Sequence, residues 1–236
     1  ALDTLKSHFV SNVSHELRTP LTSINGSLKL LASGKTGELP EKADKLVNVA
    51  LRNSEQLQRL ISDLLDFNKA VAGQLEVNLA PQPVEATLRN AASAARAYAQ
   101  NHNVSLKVEP TPGLSVMADP HRLQQILDNF ISNACKFSPE GATVRLSARQ
   151  QGPHGARIIV SDEGSGVPEH FLPRLFHRFA QAESGSSRAK AGTGLGLAIC
   201  QELAQLMNGE VGYYYQDGAH FWVDLPLATS NQDDAS

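Results

Sequence analysis

The sequence predicts an α+β protein in two parts. An antiparallel helical hairpin comes first, and an α/β sandwich follows, a mixed sheet with helices on one face. Three observations carry that expectation. Two long segments flank a Gly- and Pro-containing turn, and both place apolar residues at steps of three and four. Beyond Gly73 the pattern changes to short alternating runs separated by Gly, Pro and Asn clusters. Between those runs lie helical stretches that open at a proline or a glycine-rich segment.

Residues 2–32 read as one helix, ~45 Å long at about 1.5 Å per residue. Val10, Val13, Leu17, Leu21, Ile24, Leu28 and Leu31 form its apolar stripe. Pro20 removes one backbone donor, so a bend is expected there. Residues 33–40 make the turn, with Gly34 as helix stop and Pro40 as the next start. Gly34-Lys35-Thr36 is no phosphate-binding loop: it follows a helix, and Lys29 stands where that motif needs glycine.

Residues 41–71 form the second helix. Leu46, Ala50, Asn53, Leu57, Leu60, Leu64 and Phe67 make a heptad seam, in which polar Asn53 can fix register or partner choice. Two such helices are too thin to bury both stripes, so pairing with a second copy into a four-helix bundle is expected. The domain boundaries implied are 1–72, 73–228 and a polar tail, 229–236.

The second part begins with Leu75–Leu79, which alternates like a strand, and is then broken by Pro81 and Pro83. A helix over 84–101 follows, with short strands at 104–108 and 114–117. Asp119 before Pro120 is a cap-then-proline start for a helix running to Phe137. Residues 142–150 and 156–162 alternate as a strand pair around a Gly-Pro turn. A helix over 194–207 and strands at 210–215 and 219–225 complete the domain.

Composition narrows the function. The chain has 236 residues, 41% hydrophobic and 19% charged, which is globular rather than disordered material. A net charge of −3 with scattered Lys and Arg gives no footprint for nucleic acid. Two cysteines, Cys135 and Cys200, sit in apolar helical runs, which fits a reducing compartment. No apolar run nears the ~20 residues needed to span a bilayer, so no membrane contact is expected of these residues. The sequence starts inside an amphipathic pattern and reads as a piece of a longer protein.

Four sites carry chemistry. His15 and Glu16 lie off the apolar stripe of the first helix and are expected to point to water. Asn129, Asn133 and Lys136 are spaced i, i+4 and i+7, so they share a helix face. Two amide oxygens and an ammonium there suit a hard cation bridging phosphates. Asp162-Glu163-Gly164-Ser165-Gly166 follows a strand, where a carboxylate can accept from an exocyclic amine and glycines admit a ring. Gly192-Thr193-Gly194-Leu195-Gly196-Leu197 opens a helix, whose N–H groups suit an anion. Leu197 replaces the third glycine of a dinucleotide fingerprint, which excludes that reading.

The run Ser14-His15-Glu16-Leu17-Arg18-Thr19-Pro20-Leu21 resembles the phospho-acceptor box of two-component sensor histidine kinases. Asn129–Phe137 resembles the family's N box, and Asp162–Gly166 its first glycine box. Phe176-His177-Arg178-Phe179 resembles its F box, and Gly192–Gly196 its second glycine box. The resemblance covers residues 8–226. It implies a dimerisation and phosphotransfer hairpin followed by an ATP-binding domain of the gyrase, Hsp90, histidine kinase and MutL type. It also implies ATP and Mg²⁺ as cofactors. By that resemblance Asp162 contacts the adenine amine, with Gly164 and Gly166 beside it. Asn133 ligates Mg²⁺ with Asn129 assisting, and Lys136 faces phosphate. Gly192, Thr193, Gly194, Leu195 and Gly196 line the nucleotide, and residues 180–193 form a lid.

The expected reaction is autophosphorylation of His15 and phosphoryl transfer to an aspartate of a response regulator receiver domain. Glu16 accepts the proton from the other ring nitrogen. Glu16 and Thr19, the latter one turn on, also resemble the pair that dephosphorylates the partner regulator. Expected partners are a second copy through the hairpin and the receiver domain. The expected location is cytoplasmic, with the parent protein anchored in the inner cell membrane.

Three departures stand out. Glu163 replaces a usual Asn, which weakens nucleotide binding if it points inward. His177 replaces a usual Glu, and Gln181 a usual Arg, which passes γ-phosphate contact to Arg178 or Arg188. These departures raise an alternative: a module with weak catalysis that acts by heterodimerising with another histidine kinase.

Overall fold

A computed structural model describes residues 2–111, 113–181 and 194–228, with the backbone alone for 2–16. The chain divides into two compact units, Ala1–Leu75 and Glu76–Ser236. In the first, α1 (Leu2–Ala32) and α2 (Glu41–Val71) form the helical hairpin. Helix α1 runs without interruption through Pro20. It ends where Gly34 takes a φ of +70°, which an L side chain rarely adopts. Pro40 precedes α2, whose first turn carries Glu41 and Asp44, favourable against the helix dipole.

The face that closes the hairpin is partly polar. Leu21 and Asn25 of α1 and Ser54, Ile61 and Leu65 of α2 are buried. Asn25 Nδ2 donates to Gln58 Oε1 at 2.5 Å, and Lys29 pairs with Glu55 at 3.1 Å. The heptad seam read from the sequence is buried at Phe67 and open over its earlier turns. Leu46, Val49 and Leu57 are exposed, as are Leu17 and Ile24 on α1, and Asn53 faces solvent with them. Each helix carries an apolar stripe wider than one partner covers. One edge of it closes the hairpin, and the other stays open along the outside of the single chain.

The second unit contains β1 (Ala80–Pro83), α3 (Val84–Asn101), β2 (Ser105–Val108), β3 (Ser115–Ala118) and α4 (Pro120–Phe137). It continues with β4 (Thr143–Gln151), β5 (Gly155–Ser161), α5 (Gly196–Leu206), β6 (Glu210–Tyr215) and β7 (Ala219–Pro226). A five-stranded sheet has the order β2-β4-β5-β7-β6, in which β2 and β4 are parallel and the other pairs antiparallel. The strand expected at 75–79 is displaced. The pairing strand is β1, antiparallel to β3 alone. Prolines are tolerated there because an edge strand needs only one side of its ladder. Asn78 instead donates its N–H to Asp119 Oδ2 at 2.9 Å. A short 3-10 helix at Glu169–Arg174 has no counterpart in the sequence reading.

Helix α4 supplies the centre of the core. Leu123, Ile126, Leu127, Phe130 and Ile131 are fully buried, with Val144, Leu146, Ile158 and Val223 of the sheet. Phe130 and Phe221 rings meet at 5.7 Å. Alternation sends Arg145, Arg157, Ser161, His220, Trp222 and Asp224 to the other sheet face. There Arg157 bonds both carboxylate oxygens of Asp224, at 2.7 and 2.6 Å, and lies over Trp222 at 3.7 Å.

The N-cap of α4 is the local device that sets its position. Asp119 Oδ1 accepts from His121 N at 2.9 Å and Arg122 N at 3.2 Å, while Oδ2 accepts from Asn78 N. Burial raises its carboxyl, but those three N–H groups and the Arg122 charge outweigh it and hold the group below the usual range. A depressed carboxyl stabilises the fold above its unfolded value and loses that contribution as pH falls through the folded value. Asp119→Ala is therefore expected to cost about 1–3 kcal/mol at pH 7 by urea unfolding. The gap between the two proteins should close as the pH is lowered below the ordinary carboxylate range of about 3.9.

Candidate functional site

The site is built along one edge of α4. Its apolar face is committed to the core, which leaves Asn129, Asn133 and Lys136 half-exposed on the adjoining face. Asn129 Nδ2 donates to the Gln125 carbonyl at 3.0 Å. A carbonyl only accepts, so this bond fixes the amide and leaves Oδ1 on the side where Gly196 packs. Asn133 has no hydrogen-bond partner among the described residues. Lys136 Nζ lies 5.0 Å from the centroid of the exposed Phe137 ring.

The first glycine cluster abuts the C-terminal end of that helix. Asp162 leaves β5 with its N–H bonded to the Ala219 carbonyl at 2.9 Å and is 5% exposed. Its Oδ1 accepts from Gly164 N at 2.7 Å. Burial pushes the carboxyl above the usual range, against the pull of the Gly164 and Ala219 bonds and the nearby His220. Cys135 of α4 is pushed up to about 11, first by burial and then by the Asp162 charge, so Asp162 flanks α4. That thiol is inert at neutral pH. A Cβ on Gly164 would lie 2.8 Å from the Phe137 carbonyl oxygen. Gly166 has φ +75°, and a Cβ there would lie 2.5 Å from Tyr215 Cδ2 and 2.7 Å from the Tyr213 hydroxyl.

The second glycine cluster abuts the same helix about two turns earlier. Gly196, the first residue of α5, packs so closely on Asn129 that any Cβ would collide with Oδ1. Gly194, with φ +71°, would place a Cβ 2.7 Å from the Phe179 carbonyl carbon. Leu195 at the N-cap has a buried side chain at 4% exposure, so only its backbone can serve a ligand. Gly192, Thr193 and Arg188 lie outside the described residues, as does most of the expected lid.

Phe179 is 65% exposed and holds φ +55°, a conformation that costs a non-glycine residue ~1 kcal/mol. Arg178 is exposed beside it. Glu163 does not bring an uncompensated charge toward the cluster. Its Oε1 accepts from Arg145 Nη1 at 3.2 Å, across to β4. His15 and Glu16 lie on the α1 backbone, and their side chains fall outside the described residues; Thr19 is exposed on the same helix. Sequence reasoning missed Tyr213, whose hydroxyl accepts from Val167 N at 2.9 Å and so holds the turn after Gly166. It also missed the part played by Gly218 and by His220, at the start of β7. The alternation of β6 and β7 was the available signal, since it puts Tyr213 on the face of Phe221.

Comparison with known proteins agrees with this geometry. Residues 5–73 match the His Kinase A (phospho-acceptor) domain. Residues 118–229 match the histidine kinase-, DNA gyrase B- and HSP90-like ATPase. The chain is 38% identical over 230 residues to the sensor histidine kinase RcsC of Escherichia coli, covering 94% of this chain and 23% of that protein. It is 38% identical over 238 residues to the sensor histidine kinase GacS of Pseudomonas protegens, covering 97% of this chain and 25% of that protein. It thus spans about a quarter of the length of these curated relatives.

The crystal structure of full-length ShkA in complex with AMPPNP superposes with a TM-score of 0.77 at 33% identity, covering 94% of this chain and 46% of that one. The Acinetobacter baumannii histidine kinase AdeS shares the fold, with a TM-score of 0.62 at 23% identity, covering 92% of this chain and 98% of that one. Among the described residues, no helix is long and apolar enough to cross a membrane. A phospho-acceptor hairpin joined to an ATPase domain whose glycine clusters both close on α4 makes this chain a member of the sensor histidine kinases.

Proposed function

We propose that this chain uses ATP to phosphorylate its own His15 and then hands the phosphoryl group to an aspartate on a response regulator. The observation that carries the reading is the convergence on α4. Gly164 lies against the Phe137 carbonyl, and Gly196 lies against Asn129. A carboxylate, two amides and an ammonium therefore share one helix edge, with backbone and no Cβ on either side. In this reading Asp162 accepts the adenine amine, while Gly164 and Gly166 seat the loop against Phe137 and against Tyr213 and Tyr215 beside it. Lys136 and the N–H groups of Gly194–Gly196 take phosphate oxygens. The run from Gly192 and Thr193, with Arg178 and Arg188, completes the phosphate side.

The residues present fit Mg²⁺. No cluster of three His, Cys, Asp or Glu exists among the described residues, so protein ligation would fall to amide oxygens. Asn133 is unclaimed by other described groups, and the Asn129 oxygen, which lies against Gly196, assists from the edge of the site. When bound, Mg²⁺ supplies charge neutralisation on the phosphates and needs only a few protein oxygens. The rest is positioning. A neutral His15 nitrogen forms its bond to the γ-phosphorus as the bond to the β-γ bridging oxygen breaks and ADP leaves. Glu16 takes the proton from the other ring nitrogen. Glu16 and Thr19 then position water to remove the phosphoryl group from the regulator.

The open apolar edge formed by Leu17, Ile24, Leu46 and Leu57 supports pairing with a second copy. The alternative of a catalytically weak partner module loses part of its motive. Glu163 is one of its three supports, with His177 and Gln181, and that carboxylate is engaged by Arg145.

His15→Gln should abolish acid-labile incorporation from γ-labelled ATP while leaving nucleotide binding intact; incorporation that persists rules out His15 as acceptor. Asp162→Asn should weaken ATP binding by about 10- to 100-fold, the loss of one buried charge-assisted hydrogen bond. The raised Asp162 carboxyl means that ionising it costs stability as pH rises through its folded value. The same variant should therefore melt at a higher temperature without nucleotide at pH 7. Thr19→Ala should retain autophosphorylation and lose regulator dephosphorylation; undiminished loss of phosphoryl from the regulator refutes that role.

A further inference from the structure

We infer that His220 and Ser161 act as positioning residues, a latch on the outer face of the sheet that fixes Asp162 for recognition of the nucleotide base. This inference rests on the reading of Asp162 as the adenine contact. Asp162 is the residue immediately after β5, where a strand end is free to fray. Its carboxylate is held by backbone groups, with Oδ1 accepting from Gly164 N and the Ala219 backbone also favouring its charge. The backbone itself is held by the turn between β6 and β7. Asp162 N–H bonds the Ala219 carbonyl, and Gly218 lies so close to the Asp162 carbonyl oxygen that a Cβ would collide with it.

The third hold is the side-chain pair on the opposite sheet face. Ser161 Oγ lies 2.7 Å from His220 Nδ1, and His220 Nε2 lies 2.9 Å from the Gln216 carbonyl oxygen. A carbonyl only accepts, so Nε2 carries a hydrogen. In the neutral ring Nδ1 is then a bare acceptor, and the Ser161 hydroxyl donates to it. The imidazole also lies flat on Tyr214, with centroids 4.5 Å apart and planes 6° from parallel. Ring orientation is thus fixed at three points, and β5 is tied to β7 at its last residue.

The groups around His220 give the latch a charge role. Tyr214 faces it from β6, and Ser161 and Asp162 from the end of β5. Arg145, opposite Ser161 on β4, is paired with Glu163, and Arg157 is paired with Asp224 further down the same face. Arg145 and Arg157 are thus paired, and Asp162 is the carboxylate on which the His220 charge acts. Burial works against Asp162 ionisation, and the His220 charge works for it. Without the imidazole, Asp162 should take up its proton at a higher pH than in the intact chain.

The test is the ratio of Kd values for Mg·GTP and Mg·ATP at pH 8 and pH 6, in which triphosphate ionisation cancels. The proteins compared are the intact chain, Asp162→Asn, His220→Ala, Ser161→Ala and Ser161→Thr. At pH 8, His220→Ala and Ser161→Ala should lower the preference for ATP by about three- to tenfold, while Ser161→Thr, which keeps the hydroxyl, holds it. At pH 6 the preference should fall further in His220→Ala than in the intact chain. If Asp162→Asn leaves the ratio unchanged, the adenine reading itself fails. If Asp162→Asn collapses the ratio while His220→Ala matches the intact chain at both pH values, the latch is refuted. Should His220→Ala fail to fold, the Ser161 pair decides: an unchanged ratio in Ser161→Ala refutes the latch.

Discussion

The second unit depends on how close backbone comes to a single helix. Gly164 and Gly196 reach α4 at points where a methyl group has no space, against the Phe137 carbonyl and the Asn129 amide. Those approaches place two loops, otherwise remote in sequence, beside one row of polar side chains. The helix tolerates them because its apolar face is fully spent on the core. Leu123, Ile126, Leu127, Phe130 and Ile131 anchor it from behind, and the Asp119 cap fixes its start. A rigid wall with two glycine loops against it offers backbone N–H groups to a ligand and little side-chain bulk in front. The functional reading follows from that wall more than from any one residue.

Charge is arranged so that the wall stays usable. Asp162 is the buried carboxylate of the cluster, and its ionisation is opposed by burial and supported by a short bond from Gly164. Glu163, which by position threatened to repel a polyanion, is drawn to Arg145 on β4. The surface pair itself contributes little to stability. Its consequence is directional, because it settles where that carboxylate goes. In the proposed reading Asp162 remains the acidic group for base recognition, with the inferred latch of His220 and Ser161 holding its backbone from the far side of the sheet.

Much of this was legible in the residues. Helix periodicity located both hairpin helices, and the Asp119-Pro120 pair marked the start of α4. Spacing alone put Asn129, Asn133 and Lys136 on one face. The misses share a physical cause: they concern partners distant in the chain. Alternation at 75–79 suggested a strand, but strand formation requires a neighbour, and β3 pairs with the prolines of β1 instead. The seam through Asn53 was real as a pattern, yet which edge of a wide stripe closes a hairpin is a tertiary choice. Here Ser54 and Gln58 face inward. The roles of Arg145, Tyr213 and His220 depend on sheet register, which single-strand patterns do not specify.

The central claim is that the glycine clusters and the polar edge of α4 form one nucleotide cradle. Amide hydrogen exchange with and without Mg²⁺ and a non-hydrolysable ATP analogue tests it most directly. The account expects new protection confined to three stretches: residues 129–137, 162–167 and 194–199. Protection that spared any of the three while appearing elsewhere in the chain, or no protection at saturating analogue, would contradict it.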